Sequence, residues 1–333
     1  MRNSSPPPGL VVAVDVGGTG IKAALVARDG SVVRSVRRET RREAGPAAVL
    51  DRVTATAAEL AAACVASTGS APLAAGVAVP GLVDTARGVA RYAANLGWRD
   101  LPLRDLLTER LGLPVALGHD VRAGALAEGR LGAGREHDDF LFVALGTGIA
   151  AAHVREGRVF EGSRGGAGEL GHLVLRSGGG PRCGCGRRGC LETLASASAV
   201  ARAYAEASGP ARSSRKAPLT GGGVRPGLEI PVTAEGVRDL VRAGDRVARQ
   251  VWRRAVHALA DGLAAYTVLC EPELVVLGGG LARAGTDLTD PLREALARRL
   301  PFHRPPELAL AALGDRAGCQ GAALLALDLA VAA

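Results

Sequence analysis

The chain reads as an α/β protein of two duplicated lobes, and three features of its 333 residues carry that reading. Predicted strands alternate with predicted helices, the pattern of a sheet whose strands are joined by helical crossovers. A meander with glycine in its first turn occurs twice, at 10–36 and again at 140–160. The length exceeds what one small core needs and suits two domains.

In the first copy, LVVAVDVGGTGIKAALVARDGSVVRSV, an apolar strand runs into Gly17 and Gly18, and a second apolar strand follows. A polar turn at Arg28-Asp29-Gly30 then leads to a third strand. The second copy, FLFVALGTGIAAAHVREGRVF, repeats this order with Gly146-Thr147-Gly148 in its first turn and Glu156-Gly157 in its second. Glycines there remove side chains, so backbone N–H groups can approach a ligand closely. Two such turns facing each other would hold a phosphate chain between two lobes. Between the copies the pattern gives a helix over 46–67, a strand over 74–79, a helix over 103–111, a strand over 114–117 and a helix over 121–131. After the second copy come a cysteine-rich loop ending at Cys190 and helices over 195–206, 234–243 and 246–269. A strand over 274–277 enters Gly278-Gly279-Gly280; a helix over 291–299, a strand over 308–312 and a terminal helix from Cys319 follow. Residues 1–9 read as a loose tail, and 208–231, rich in Gly, Pro, Ser and Arg without periodicity, as a mobile excursion.

Composition narrows the function. Apolar residues make up 47% of the chain and charged ones 22%, yet no apolar run approaches the ~18 residues of a membrane span. Without a signal-peptide pattern at the start, the expected compartment is the cytoplasm. The net charge of +8 invites a nucleic-acid reading, but 39 of the 41 basic residues are arginines scattered along the chain. Only nine aromatic residues are present, too few for base-stacking platforms, so nucleic acid is not an expected partner. The positive field favours small anionic ligands such as nucleotides.

Asp15-Val16-Gly17-Gly18-Thr19 ends the first strand with a carboxylate, two glycines and a hydroxyl, a set suited to Mg2+ and phosphate oxygens. An Asp-capped hairpin turn explains the same residues alone; the second glycine turn tips the balance toward phosphate. Gly278, Gly279 and Gly280 admit a flat nucleoside, or simply a tight helix entry. Asp120 stands between a predicted strand and helix, where it can cap the helix and also accept the proton of a substrate hydroxyl during phosphoryl transfer. His172 with Cys183, Cys185 and Cys190 completes a tetrahedral donor set for Zn2+, and with all four places filled by protein the metal is structural. Cys64, Cys270 and Cys319 read as core filler. Glu169 and Glu192, on either side of that metal loop, are candidate acceptors for sugar hydroxyls; the amide of Asn95 and the ring of Trp98 could face a sugar, or Trp98 could simply pack between lobes.

Taken together, DVGGTGIKAAL, ANLGW, GHDVRAGALAE, LGTGI, GAGELGH, CGCGRRGC with LE, and LVVLGGGLARAG resemble the ROK family (repressor, open reading frame, kinase) over nearly the whole chain. The resemblance implies the actin and hexokinase type of fold, ribonuclease H-like in each lobe, with an ATP cleft between lobes. The lobes would be 10–118 plus 318–333, and 119–317 with the zinc loop. It implies an ATP-dependent kinase acting on a hexose 6-hydroxyl, with Asp120 as general base. Asp15, Gly17, Gly18 and Thr19 would form the first phosphate loop and Gly146, Thr147 and Gly148 the second, with Gly278 to Gly280 at the nucleoside. Asn95, His119, Glu169, His172 and Glu192 would meet the sugar, Mg2+ would accompany ATP, and the chain would pair as a homodimer. Three positions depart from the family: His119 and Arg122 stand where asparagines flank the catalytic aspartate, and Ala150 replaces a common glycine. Because the first of those asparagines normally touches a sugar hydroxyl, His119 opens a variant reading. In it the acceptor is an aminohexose, an N-acetylhexosamine or a sugar-like C7-cyclitol of the valiolone type. Gly20-Ile21-Lys22 also resembles polyphosphate-using glucokinases, although ATP is the expected donor. A sugar-responsive regulator is the reading of another class; with about fourteen residues before Asp15, a helix-turn-helix unit is not expected.

Overall fold

The computed structural model describes residues 9–208 and 232–332. The tail expected over 1–9 and the excursion expected over 208–231 lie outside them, save for Gly9 and Ser208. The chain divides into two compact units, the first made of 1–138, 152–167 and 312–333, the second of 139–151 and 168–311.

In the first unit β1 (Val11–Val16), β2 (Gly20–Val26) and β3 (Val32–Glu39) form the meander, and α1 (Pro46–Thr68) leads to β4 (Ala75–Val79). A small antiparallel sheet of β5 (Leu82–Asp84), β6 (Val89–Ala93) and β7 (Trp98–Leu101) follows, then α2 (Leu103–Leu111), β8 (Val115–His119) and α3 (Asp120–Leu131). The main sheet runs β3-β2-β1-β4-β8, with β1, β4 and β8 parallel. β1 and β4 are apolar at nearly every position because both faces are covered. On one face Val49, Val53 and Leu60 of α1 pack with Val12, Val14 and Val77. On the other, the C-terminal helix brings Ala322, Ala323 and Ala326 against Val11, Ala13 and Ala78. That helix approaches so closely that Gly76 has no room for a Cβ beside the Ala322 carbonyl.

The second meander is β9 (Phe140–Leu145), β10 (Ile149–Arg155) and β11 (Arg158–Phe160), the division between units falling after Ala151 within β10. Then come α4 (Glu192–Ala195), α5 (Ala197–Ser208), α6 (Ala234–Arg242), α7 (Arg246–Cys270), β12 (Leu274–Gly278), α8 (Thr286–Ala297) and β13 (Glu307–Leu310), before α9 (Ala317–Ala332) returns to the first unit. The second sheet runs β11-β10-β9-β12-β13, with β9, β12 and β13 parallel. Strand for strand this repeats the first sheet. The fold is the duplicated α/β fold of the actin and hexokinase type.

Several elements differ from the sequence reading. The sheet β5–β7 was not foreseen, because strands of three to five residues with mixed exposure carry no clear period. Helix α8 begins at Thr286 and holds Pro291 inside it. The carbonyl Pro291 cannot bond, that of Asp287, accepts the Trp252 indole N–H at 3.0 Å instead. Helix α3 belongs with the first unit, whereas the sequence reading gave it to the other lobe: it packs along α9, and Arg130 holds Asp328 by two bonds of 2.7 and 2.9 Å. Trp98 is buried and donates to the Pro46 carbonyl at 3.0 Å, so it anchors α1 and presents no face to a ligand. Cys64 and Cys319 are buried as expected, while Cys270 is exposed at the end of α7.

Candidate active site

In the first unit the β1–β2 turn is fixed from below. Gly17 N–H donates to the Gly20 carbonyl at 2.8 Å, and the fully buried Thr40 donates its hydroxyl to the Gly17 carbonyl at 2.6 Å. Gly18 lies against Asn95, where a Cβ would stand 3.3 Å from that of the asparagine, so Asn95 joins the turn although it comes from the β6–β7 connection. Asp15 projects from β1 beside the start of α9. Gly318 there leaves the space, since a Cβ on it would press on the Asp15 carboxylate at 2.7 Å. Burial pushes the Asp15 carboxyl up to about 6; Lys22, its cross-strand partner at 3.9 Å, opposes this and the charge of Asp120 adds to it.

Asp120 is the first residue of α3 and His119 its N-cap, so the expected capping role shifts by one position. The Asp120 Oδ1 accepts the Val121 N–H at 2.7 Å, and His119 Nε2 lies 3.3 Å from the same oxygen. Loss of water pushes the Asp120 carboxyl up to about 6, against the Val121 N–H and Arg122, which lower it. Arg122 itself is buried, donates to the Gly165 carbonyl and sits 3.8 Å from Glu161, which accepts the Thr85 hydroxyl at 2.6 Å. It ties α3 to the 161–165 loop.

In the second unit Gly146 N–H donates to the Gly148 carbonyl at 3.0 Å, closing the turn between β9 and β10. Gly148 leaves room for Glu192, whose carboxylate would meet a Cβ there at 2.8 Å, so Glu192 borders this turn. Ala150, the departure expected in this turn, lies within β10. The loop carrying Glu169 and His172 is strapped to β10 by the Ala151 N–H on the Gly168 carbonyl at 2.8 Å, and Gly171 lies so near the Ile149 carbonyl that no Cβ fits. Glu169 Oε2 stands 3.7 Å from His172 Nε2 and Glu192 Oε1 3.7 Å from its Nδ1. Gly279, with φ of 86°, packs against the Leu145 carbonyl, so the 278–280 loop borders the second glycine turn. Beside Gly280 opens a cavity of about 150 Å³ lined by Glu235, Arg238, Trp252, Leu281 and Ala284.

His172 and the three clustered cysteines bring their ligand atoms within 4.8 Å of one another. A zinc ion with sulfur ligands at about 2.3 Å sets tetrahedral edges of roughly 3.8 Å. Cys185 and Cys190 sulfurs are 3.7 Å apart and Cys183 Sγ is 3.4 Å from His172 Nδ1, so the donor set fits Zn2+. Hydrogen bonds from Arg187 lower the Cys185 thiol to about 6, into the range where it is a thiolate. Burial pushes Cys183 and Cys190 up, and a dication supplies the charge that would reverse this. As a thiol Cys183 donates to Glu192 Oε1 at 2.9 Å, a bond that ligation as a thiolate would replace, so this candidate sugar ligand borders the metal loop.

Two residues escaped the sequence reading of the site. Lys22 bonds the Asp315 carboxylate at 2.5 Å and its carbonyl at 3.0 Å, and Arg37 holds the same carboxylate at 2.7 Å. Lys22 was findable, since in a tight hairpin it falls opposite Asp15. Asp315, 293 residues away, offered no local signal.

The family model described as "ROK family" matches residues 11–329. A glucokinase of Thermotoga maritima is 37% identical over 316 residues, covering 94% of this chain and 96% of that protein. A ROK hexokinase from Thermus thermophilus superposes with a TM-score of 0.79 at 37% identity, covering 97% of this chain and all of that one. A ROK family glucokinase from Streptomyces griseus, solved in complex with glucose and AMPPNP, gives 0.79 at 32% identity, covering 96% of this chain and 100% of its own. A chain matched by the family model from its first strand to its last helix, with relatives aligned end to end, belongs to the ROK family.

Proposed function

We propose that this protein transfers the terminal phosphoryl group of Mg-ATP to the 6-hydroxyl of glucose or a glucose-like hexose. The observation that carries the reading is Asp120, a carboxylate at the first position of α3, with one oxygen anchored and its pKa lifted to about 6. A base whose pKa lies near working pH combines availability with driving force for accepting the hydroxyl proton. Phosphoryl transfer otherwise asks for positioning and charge, not covalent chemistry. Asp15 is the carboxylate that would hold Mg2+, and the amides of Gly17, Gly18 and Thr19 and of Gly146, Thr147 and Gly148 are the donors for phosphate oxygens. Gly278 to Gly280 and the cavity beside Gly280 offer a place for the nucleoside. Asn95, His119, Glu169, His172 and Glu192 take the sugar hydroxyls. Zn2+ on His172, Cys183, Cys185 and Cys190 would stiffen the loop on which Glu192 follows Cys190 by two residues.

The glucokinase relatives support glucose, and the complex with AMPPNP in the Streptomyces griseus enzyme supports a nucleotide donor. Family resemblance alone supports a homodimer and a cytoplasmic location; among the described residues no helix is long and apolar enough to cross a membrane. A modified ring as acceptor is the second reading, favoured by His119 standing 3.3 Å from the base. The deciding experiment offers Mg-ATP or polyphosphate with glucose, mannose, N-acetylhexosamines, aminohexoses and a valiolone-type cyclitol, and locates the new phosphate by mass spectrometry. Glucose 6-phosphate from ATP is the expected product. Phosphorylation of a modified ring with glucose inert would favour the second reading, and no turnover with either donor would sink both.

A further inference from the structure

We infer that His119 is a positioning residue for Asp120: its Nε2–H holds one carboxylate oxygen, and the other is thereby presented to the acceptor hydroxyl. The inference rests on Asp120 being the base. His119 ends β8 immediately before α3, and its side chain is 10% exposed, so the ring is confined. Its Nε2 lies 3.3 Å from Asp120 Oδ1, the same oxygen that accepts the Val121 N–H at 2.7 Å. The Asp120 N–H also acts on the carboxyl, while the Val121 N–H and the imidazole both lie on Oδ1. The two oxygens are therefore unequal.

A carboxylate without such anchoring turns readily about its last torsion, and each turn removes the basic lone pair from the line of the acceptor O–H. The Val121 N–H bonded to Oδ1 and the imidazole nitrogen 3.3 Å from the same oxygen would together set that torsion, one from the backbone of α3 and one from the end of β8. The other charges acting here are Arg122, which favours the ionised form of Asp120, and Asp15, which shares its field. An imidazole that carries its proton on Nε2 is a donor toward the carboxylate. An asparagine, the usual residue of the family at this place, ends near where the histidine carries Nδ1 and falls short of Nε2. The contact belongs to this chain's histidine.

The test compares His119→Ala, His119→Leu and His119→Gln with the unaltered protein and with Asp120→Asn, using the sugar that turns over best. Glutamine is the informative variant because its amide nitrogen falls near the position of Nε2. Readouts are kcat, KM for sugar and for ATP, and the acid limb of the pH profile. Loss of a donor to the carboxylate is expected to raise the acid limb by about one pH unit and lower kcat about tenfold in the alanine and leucine variants, with KM for ATP unchanged. Glutamine is expected to recover most of both. An alanine variant with unaltered kcat and acid limb, or a glutamine variant no better than leucine, overturns the inference. If Asp120→Asn is inactive in either of those cases, the base assignment stands and only the role of His119 falls; if Asp120→Asn is active, the base assignment itself fails.

Discussion

Glu128 is a fully buried carboxylate in the last turn of α3, and its replacement is the sharpest test of how the first unit is braced. It accepts the N–H groups of Ala133 at 2.9 Å, Ala312 at 3.1 Å and Leu313 at 2.9 Å, which binds the end of its own helix to the segment that leads into α9. Glu128→Ala strands three amides. At about 1–3 kcal/mol for each buried donor left unpaired, and with water returning part of that, a loss of about 3 kcal/mol is expected. A unit of this size shifts its midpoint by about 2–4 °C per kcal/mol, so the first unfolding transition should fall by roughly 6–12 °C in calorimetry. Glu128→Gln keeps the shape and one acceptor oxygen but turns an amino group toward one of the three donors, so it should fall by less than half as much. Activity should drop with stability, because Leu313 leads into the Gly314–Arg316 turn whose Asp315 grips Lys22 beside Asp15. An alanine variant that melts within about 2 °C of the parent would refute this bracing.

Asp120 must be ionised to act, so kcat/KM should climb about tenfold per pH unit below about 6 and level off above it, as a pH profile with saturating Mg-ATP will show. Because burial raises Asp15 and Asp120 above their ordinary values, both carboxyls favour the folded state when protonated; their contribution to the stability of the ligand-free protein should fall as pH rises from about 4 to about 6. The purified chain should carry about one zinc, and Cys190→Ser should lose the metal and most activity, while Cys64→Ser, a buried cysteine outside the cluster, keeps both; metal analysis by mass spectrometry checks this. Gly171→Ala would drive a methyl into the Ile149 carbonyl and lift the loop carrying His172, so zinc content and turnover should fall together; full zinc occupancy in that variant would contradict the strapping of this loop to β10.

Much of this architecture is visible in local chemistry. The glycine turns between apolar strands announced the duplication, because Gly17, Gly18, Gly146 and Gly148 interrupt strands that are otherwise buried on both faces. The zinc set was equally plain, since three cysteines within eight residues and a histidine just upstream have few other uses. What stayed hidden depends on contacts between distant segments. Nothing near Lys22 or Glu128 reveals that their partners lie at 312–315, and nothing near Asp287 reveals that Trp252 frees α8 to run through Pro291. Trp98 misled for the opposite reason: an indole beside a candidate sugar ligand looks functional until its N–H is seen to hold Pro46.

Whether Asp120 accepts the proton of a sugar hydroxyl is decided by measuring formation of glucose 6-phosphate from glucose and Mg-ATP by the parent and by Asp120→Asn. The variant is expected still to bind glucose by calorimetry with similar affinity while kcat falls by about 10²–10⁴-fold. Turnover in the variant within about tenfold of the parent would contradict that role.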